Sequence, residues 1–121
     1  MMDHKTKAFV FCTTNLSKKY KNCLALKDVC MNIPKGAIYG LVGKNGAGKT
    51  TLMRIISGLQ EPTKCQSIQK EQTRVGAVIE TPAVYMNMTA RDNLMVQCKL
   101  RSIAGAECEQ EIDRLLTLVG L

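Results

Sequence analysis

Tryptophan is absent, histidine occurs once, and the aromatic residues are only three tyrosines and two phenylalanines. So few stacking side chains, with no recognised nucleic-acid module beside them, argue against nucleic acid as a partner. No apolar run approaches the roughly eighteen residues of a membrane span. The AFVFC stretch after the basic start MMDHKTK is too short for a secretory signal and lacks its small-residue cleavage pattern, so a cytosolic protein is the default. None of the six cysteines (Cys12, Cys23, Cys30, Cys65, Cys98, Cys108) forms a CxxC pair, and the single histidine, His4, falls in residues 1–8, read as a flexible tail. Reduced, mostly buried thiols are therefore expected in place of a disulfide frame or a zinc site. Internal repeats and low-complexity tracts are also missing.

The chain has 121 residues, 45% of them hydrophobic, which suits one globular domain with a core of its own. Its net charge of +7 is unevenly placed. Residues 1–60 hold ten Lys/Arg against two Asp/Glu, a net +8, and residues 61–121 hold seven against eight, a net −1. A basic half of this kind fits a polyphosphate ligand or a plain solvated face.

Composition predicts a strand over Phe9–Leu16, a polar turn in SKKYKN, and a second strand over Leu26–Ile33. After the turn signal Pro34, Lys35, Gly36, the apolar run Ala37–Val42 has strand length and leads directly into Gly43. From Lys49 the residues Leu52, Ile55, Ile56 and Leu59 recur at spacings of three and four, predicting a helix with Gly58 near its end. The segment TKCQSIQKEQT reads as loop with at most one weak strand, and Arg74–Glu80 returns to strand composition. Thr89 is the expected N-cap of a helix through Ala90, Leu94 and Cys98, with Asp92 three residues on. A last helix carries Ile112, Leu115, Leu116 and Val119 on one face, is preceded by Glu107, Glu109 and Glu111, and stops at Gly120.

The central motif is GKNGAGKT. Gly43, Gly48, Lys49 and Thr50 meet the pattern G-x-x-x-x-G-K-[ST] between an expected strand and an expected helix. Its glycines let the backbone curl so that the N–H groups of Asn45, Gly46, Ala47, Gly48, Lys49, Thr50 and Thr51 point at phosphate oxygens. The helix start adds partial positive charge at the same place. Lys49 supplies a full charge to the β- and γ-phosphates, and the Thr50 hydroxyl a ligand for Mg2+. The competing reading is a glycine-rich turn that matches by chance; the flanking elements weigh against it.

The stretch TTNLSKKYKNCLALKDVCMNIPKGAIYGLVGKNGAGKTTLMRIISGLQEPT, followed by RVGAVIETPAVYMNMTARDNL, resembles the ATP-binding subunits of ABC transporters, in the style of bacitracin and lantibiotic export or immunity systems. The resemblance runs from Phe9 to Leu121 and covers about half of the family's domain. It implies an α/β fold of P-loop NTPase type, in its N-terminal portion, with a mixed sheet and a helix after the glycine loop. It also implies ATP and Mg2+ as cofactors.

Tyr20 falls where the family stacks an aromatic ring on adenine, although an ordinary turn tyrosine remains open. Glu80 falls where most members carry a glutamine that touches magnesium and the attacking water. An ionised carboxylate can ligate the metal but cannot donate a hydrogen bond; a strand-end acid on a solvated surface is the alternative. Tyr85–Leu100, with PAVYMNMT, falls where the family docks its membrane-spanning subunit, or is a plain surface loop and helix start. Cys65 stands near a position usually held by glycine, and the segment between Pro62 and Arg74 is shorter than the family's.

The resemblance also implies a second nucleotide-binding domain as partner and a place at the inner face of the cell membrane. The LSGGQ-type signature, the acidic strand and the switch histidine are not found, so the expectation is a partial domain that binds Mg-ATP with little or no turnover. Two other functions stay open: a non-enzymatic nucleotide-binding or degenerate module, and some other P-loop NTPase.

Overall fold

The computed structural model describes residues 8–72 and 74–121; the tail expected over residues 1–8, His4 included, lies almost wholly outside them. Six elements follow in order: β1 Phe9–Tyr20, β2 Cys23–Pro34, α1 Lys49–Ile56, β3 Ser67–Lys70, α2 Ala90–Leu100 and α3 Gly105–Leu118. The chain divides into two compact units, residues 1–81 and 82–121.

In the first unit, β1, β2 and β3 form an antiparallel sheet in the order β2-β1-β3. The turn predicted across SKKYKN is shorter than expected. Ser17 to Tyr20 continue β1, and Tyr20 pairs with Cys23, leaving Lys21 and Asn22 as the turn. Cross-strand hydrogen bonds hold this polar stretch extended: Lys19 N–H donates to Thr63 Oγ1 at 3.0 Å and Ser17 N–H to the Lys64 carbonyl at 2.8 Å.

The β1–β2 register shifts four times. At one shift Lys18 pairs with Leu26 and Lys19 with Leu24, so Ala25 is an extra residue on β2, a β-bulge that bends the strand locally. Asn15 and Asp28 sit at other shifts with φ of 50° and 47°, a conformation that these two residue types tolerate better than most.

The sheet buries Phe11, Leu16, Leu26 and Met31 against Leu52 and Ile55 of α1, with Ile56 half-buried beside them. Thr13, also buried, donates its hydroxyl to the Val29 carbonyl at 3.2 Å. Leu59, expected on the same face, is exposed instead, because Ser57 caps α1 and Gly58, at φ 75°, turns the chain away first. Lys70 of β3 donates to the Ile56 carbonyl at 2.9 Å and so satisfies part of the C-terminal end of α1.

Two expected strands are not formed. Ala37–Val42 and Arg74–Glu80 make no ladder among the described residues, and Ile38 and Val42 are almost fully exposed. Near-continuous apolar runs of this kind belong to strands covered on both faces. Composition alone cannot supply the neighbouring strand that must pair their N–H and C=O groups.

In the second unit α2 and α3 bury Cys98, Cys108 and Ile112, with Leu94, Met95, Ile103 and Leu116 against them. Thr89 caps α2 as expected, accepting from the Asp92 N–H at 3.1 Å and donating its hydroxyl to Asp92 Oδ2 at 2.7 Å. α3 starts earlier than expected, so Glu107, Glu109 and Glu111 lie within it, where Glu109 and Asp113 both pair with Arg91 of α2. Val119 is the exposed C-cap and drops out of the buried face, and Gly120, at φ 79°, ends the helix. Burial of the thiols is partial: Cys98 and Cys108 are buried, Cys12 and Cys65 are half-buried, and Cys23 and Cys30 are exposed.

Candidate functional site

The glycine loop is seated on the bulge. Gly48 is the N-cap of α1 at φ 91°, and a Cβ placed on it would lie 2.4 Å from the Ala25 carbonyl oxygen and 2.8 Å from Leu26 Cδ2. Only glycine fits that approach, on steric and conformational grounds together. Gly46 also has a left-handed φ of 83°, but faces open space. Across the loop a Cβ on Gly43 would meet the Ala47 side chain at 3.2 Å, and Ala47 N–H donates to the Lys44 carbonyl at 3.1 Å.

Lys49 reaches back over this curl and donates to the carbonyls of Gly43 and Lys44, the latter at 3.0 Å. Its ammonium is thereby held at the loop mouth. Asn45, Gly46, Gly48, Lys49, Thr50 and Thr51, with Ala25 beneath them, line a cavity of about 260 Å³.

The start of α1 is electrostatically open. The first N–H groups of a helix have no partner within it. Gly48 has no side chain to cap them, and the first turn carries no acidic residue. An anion is the natural complement of such an end. Thr50, in the first turn, adds a hydroxyl of the kind that ligates Mg2+ beside phosphate. The donor set therefore fits a magnesium-bound polyphosphate.

Tyr20 ends β1, and its pairing partner Cys23 lies two residues, or about 7 Å of strand, before Ala25 of the cavity floor. Its hydroxyl donates to Gln60 Oε1 at 2.7 Å, and Lys18 Nζ stands 5.4 Å from the ring centroid. Glu80, at φ 65°, ends the Arg74–Glu80 stretch and faces Arg54 of α1, Oε2 to Nη2 3.6 Å. Three contributors escaped the sequence reading: Gln60, Arg54 and Ala25.

The Tyr85–Leu100 region belongs to the second unit. Its start is pinned by Asn93, whose Nδ2 donates to the carbonyls of Tyr85 (3.0 Å), Met88 (3.3 Å) and Thr89 (2.9 Å), while its Oδ1 accepts from Tyr85 N–H at 2.7 Å. Around this loop an apolar groove of about 550 Å³ is lined by Tyr85, Met86, Met88, Leu94, Leu116 and other residues. An asparagine four residues after an N-cap was the only signal for this device.

A glycine loop opening into a helix start, on an α/β frame, is the arrangement of a P-loop nucleotide-binding protein. The family profile described as ABC transporter matches residues 26–121, and the chain belongs to that family. It is 37% identical to the bacitracin transport ATP-binding protein BcrA of Enterococcus faecalis, over 93% of this chain and 39% of that protein. It is 39% identical to BcrA of Bacillus licheniformis, over 90% of this chain and 38% of the relative. The lantibiotic transport ATP-binding protein SrtF of Streptococcus pyogenes is 39% identical over 88% of this chain and 48% of its own length. A solved structure of an ATP-binding subunit of an ABC transporter superposes with a TM-score of 0.71 at 28% identity, over 89% of this chain and 49% of that one. The chain thus spans about two fifths to one half of the length of these relatives.

Proposed function

We propose that this chain is the Mg-ATP-binding part of an ABC transporter ATPase that powers export of a peptide antibiotic or a similar substrate. The observation that carries the reading is the open start of α1. It has no cap side chain and no acidic first turn, it rests on the Ala25 bulge, and Lys49 is held at the cavity mouth. The backbone N–H groups of Asn45, Gly46, Gly48, Lys49, Thr50 and Thr51 would hold the phosphate oxygens, that of Ala47 being engaged by the Lys44 carbonyl, and Lys49 would exchange the loop carbonyls for the β- and γ-phosphates. Thr50 orients the metal through its hydroxyl, with Glu80 as a second oxygen donor. A magnesium ion held by these oxygens would supply neutralisation of the phosphate charge.

Tyr20, fixed by its hydroxyl bond to Gln60 and with Lys18 over the ring, offers a face to adenine. Stacking of this kind contributes about 1 to 3 kcal/mol. The export substrate is suggested by the bacitracin and lantibiotic relatives. Binding of the nucleotide is the role proposed for these residues.

The groove at Tyr85, Met86 and Met88 is the proposed seat for an apolar segment of the membrane-spanning subunit, and flexible methionines suit such a surface. That docking would place the chain at the inner face of the cell membrane; no helix among the described residues is long and apolar enough to cross one. A second nucleotide-binding domain is the other proposed partner.

Calorimetric titration of Mg-ATP into the chain, beside Lys49→Ala, tests the proposal. Micromolar binding lost in the variant supports it. Equal heats, or none from a folded wild-type chain, would refute it and favour a module that keeps the motif without the activity.

A further inference from the structure

Arg54 lies one turn beyond Thr50 on α1, and residues four apart on a helix share a face, with Cβ atoms about 6 Å apart. Its guanidinium stands 3.6 Å from the Glu80 carboxylate. Among the described residues this is the one ion pair that ties α1 to the Arg74–Glu80 stretch. Glu80 also takes a left-handed φ of 65°, a conformation that costs a non-glycine residue and persists where its surroundings hold it. The acid is thus held at α1 by a cation that never deprotonates, on a residue one turn beyond Thr50.

We propose that Arg54 is a positioning residue that competes with Mg2+ for Glu80: it holds the carboxylate at α1 and would release it to a metal bound with nucleotide at Thr50. The inference rests on the proposed reading of Thr50 and Glu80 as metal-side groups. Partial exposure of both partners, 42% and 63%, makes the exchange feasible. A half-solvated pair is weak enough to open, whereas a buried one would lose too much on losing its partner. No bond is made or broken in the exchange; one carboxylate trades a guanidinium for a metal ion.

The test measures ATP affinity by calorimetry, with Mg2+ and with a chelator, for the wild-type chain, Arg54→Ala and Arg54→Lys, and for Arg54→Ala in a Glu80→Gln background. Arg54→Ala tightens the Mg2+-dependent part roughly two- to fivefold and leaves metal-free ATP affinity unchanged. Arg54→Lys keeps the wild-type value, and in the Glu80→Gln background Arg54→Ala has no effect. If circular dichroism shows Arg54→Ala misfolded, Arg54→Gln, which keeps much of the packing stem, takes its place. An effect equal with and without metal, one that survives Glu80→Gln, or no effect in a chain that binds Mg-ATP overturns the inference alone. A wild-type chain that binds no Mg-ATP overturns it together with the proposed function.

Discussion

Replacing Gly48 with alanine separates two costs that are usually merged. At φ 91° an alanine carries the left-handed penalty of about 1 to 2 kcal/mol. Its Cβ would also sit 2.4 Å from the Ala25 carbonyl oxygen, well inside contact distance and against backbone that has no rotamer to yield. Forcing such an atom into a packed site costs about 1 to 3 kcal/mol more. The sum, about 2 to 5 kcal/mol, corresponds to a loss of roughly 30-fold to a few thousandfold in the population of the seated loop. Gly46→Ala is the control, because its φ of 83° brings the first penalty while its Cβ meets no protein atom within 4 Å. Its loss should stay at roughly 5- to 30-fold. Urea midpoints and Mg-ATP titrations of both variants divide the cost between folding and binding. If Gly48→Ala proved no more costly than Gly46→Ala by either measure, the claim that the loop rests on Ala25 would be wrong.

Further outcomes are expected elsewhere in the chain. Ile112→Ala, at a position only 1% exposed, should destabilise the second unit by about 2 to 5 kcal/mol, with amide exchange accelerating over residues 90–118; exchange accelerated equally across β1 and β2 would contradict two separate cores. Thr89→Ala should cost about 1 kcal/mol of α2 stability, while Thr89→Ser restores most of it; an unchanged unfolding midpoint for the alanine variant would count against the cap. Iodoacetamide should label exposed Cys23 and Cys30 quickly, and Cys108 only on unfolding. The neighbouring Cys98 thiol, and then burial, push the Cys108 thiol from 9.0 up to about 11. The unfolded chain therefore releases this proton first, so the stability it contributes is complete below about pH 9 and is lost as pH rises through about 11. Urea midpoints that fail to distinguish wild type from Cys108→Ala in their decline over that range would disprove the assignment.

What could be read in advance was whatever the chain signals locally. Thr89 with Asp92, Gly58 and Gly120 each mark a helix end through their own chemistry, and all three stand where they were expected. The glycine loop was legible for the same reason, since spacing alone dictates where Cβ atoms are missing. Strand formation was not, because it depends on a neighbour. SKKY looked like a turn yet is held extended by Thr63 and Lys64, while the apolar Ala37–Val42 looked like a strand yet has no ladder. Ala25, Arg54 and Gln60 act only through residues distant in sequence, and Asn93 through a loop whose path the sequence does not specify.

The bulge at Ala25 also bears on the order of events during synthesis. The β1–β2 hairpin is wholly local, and hairpins close within about 1 to 10 μs, far faster than a ribosome adds the next residue. The floor under Gly48 can therefore exist before the loop has left the ribosome, so the loop folds onto a template already in place. A fault in the hairpin would reach the nucleotide site as a failure of timing, with every residue of GKNGAGKT intact.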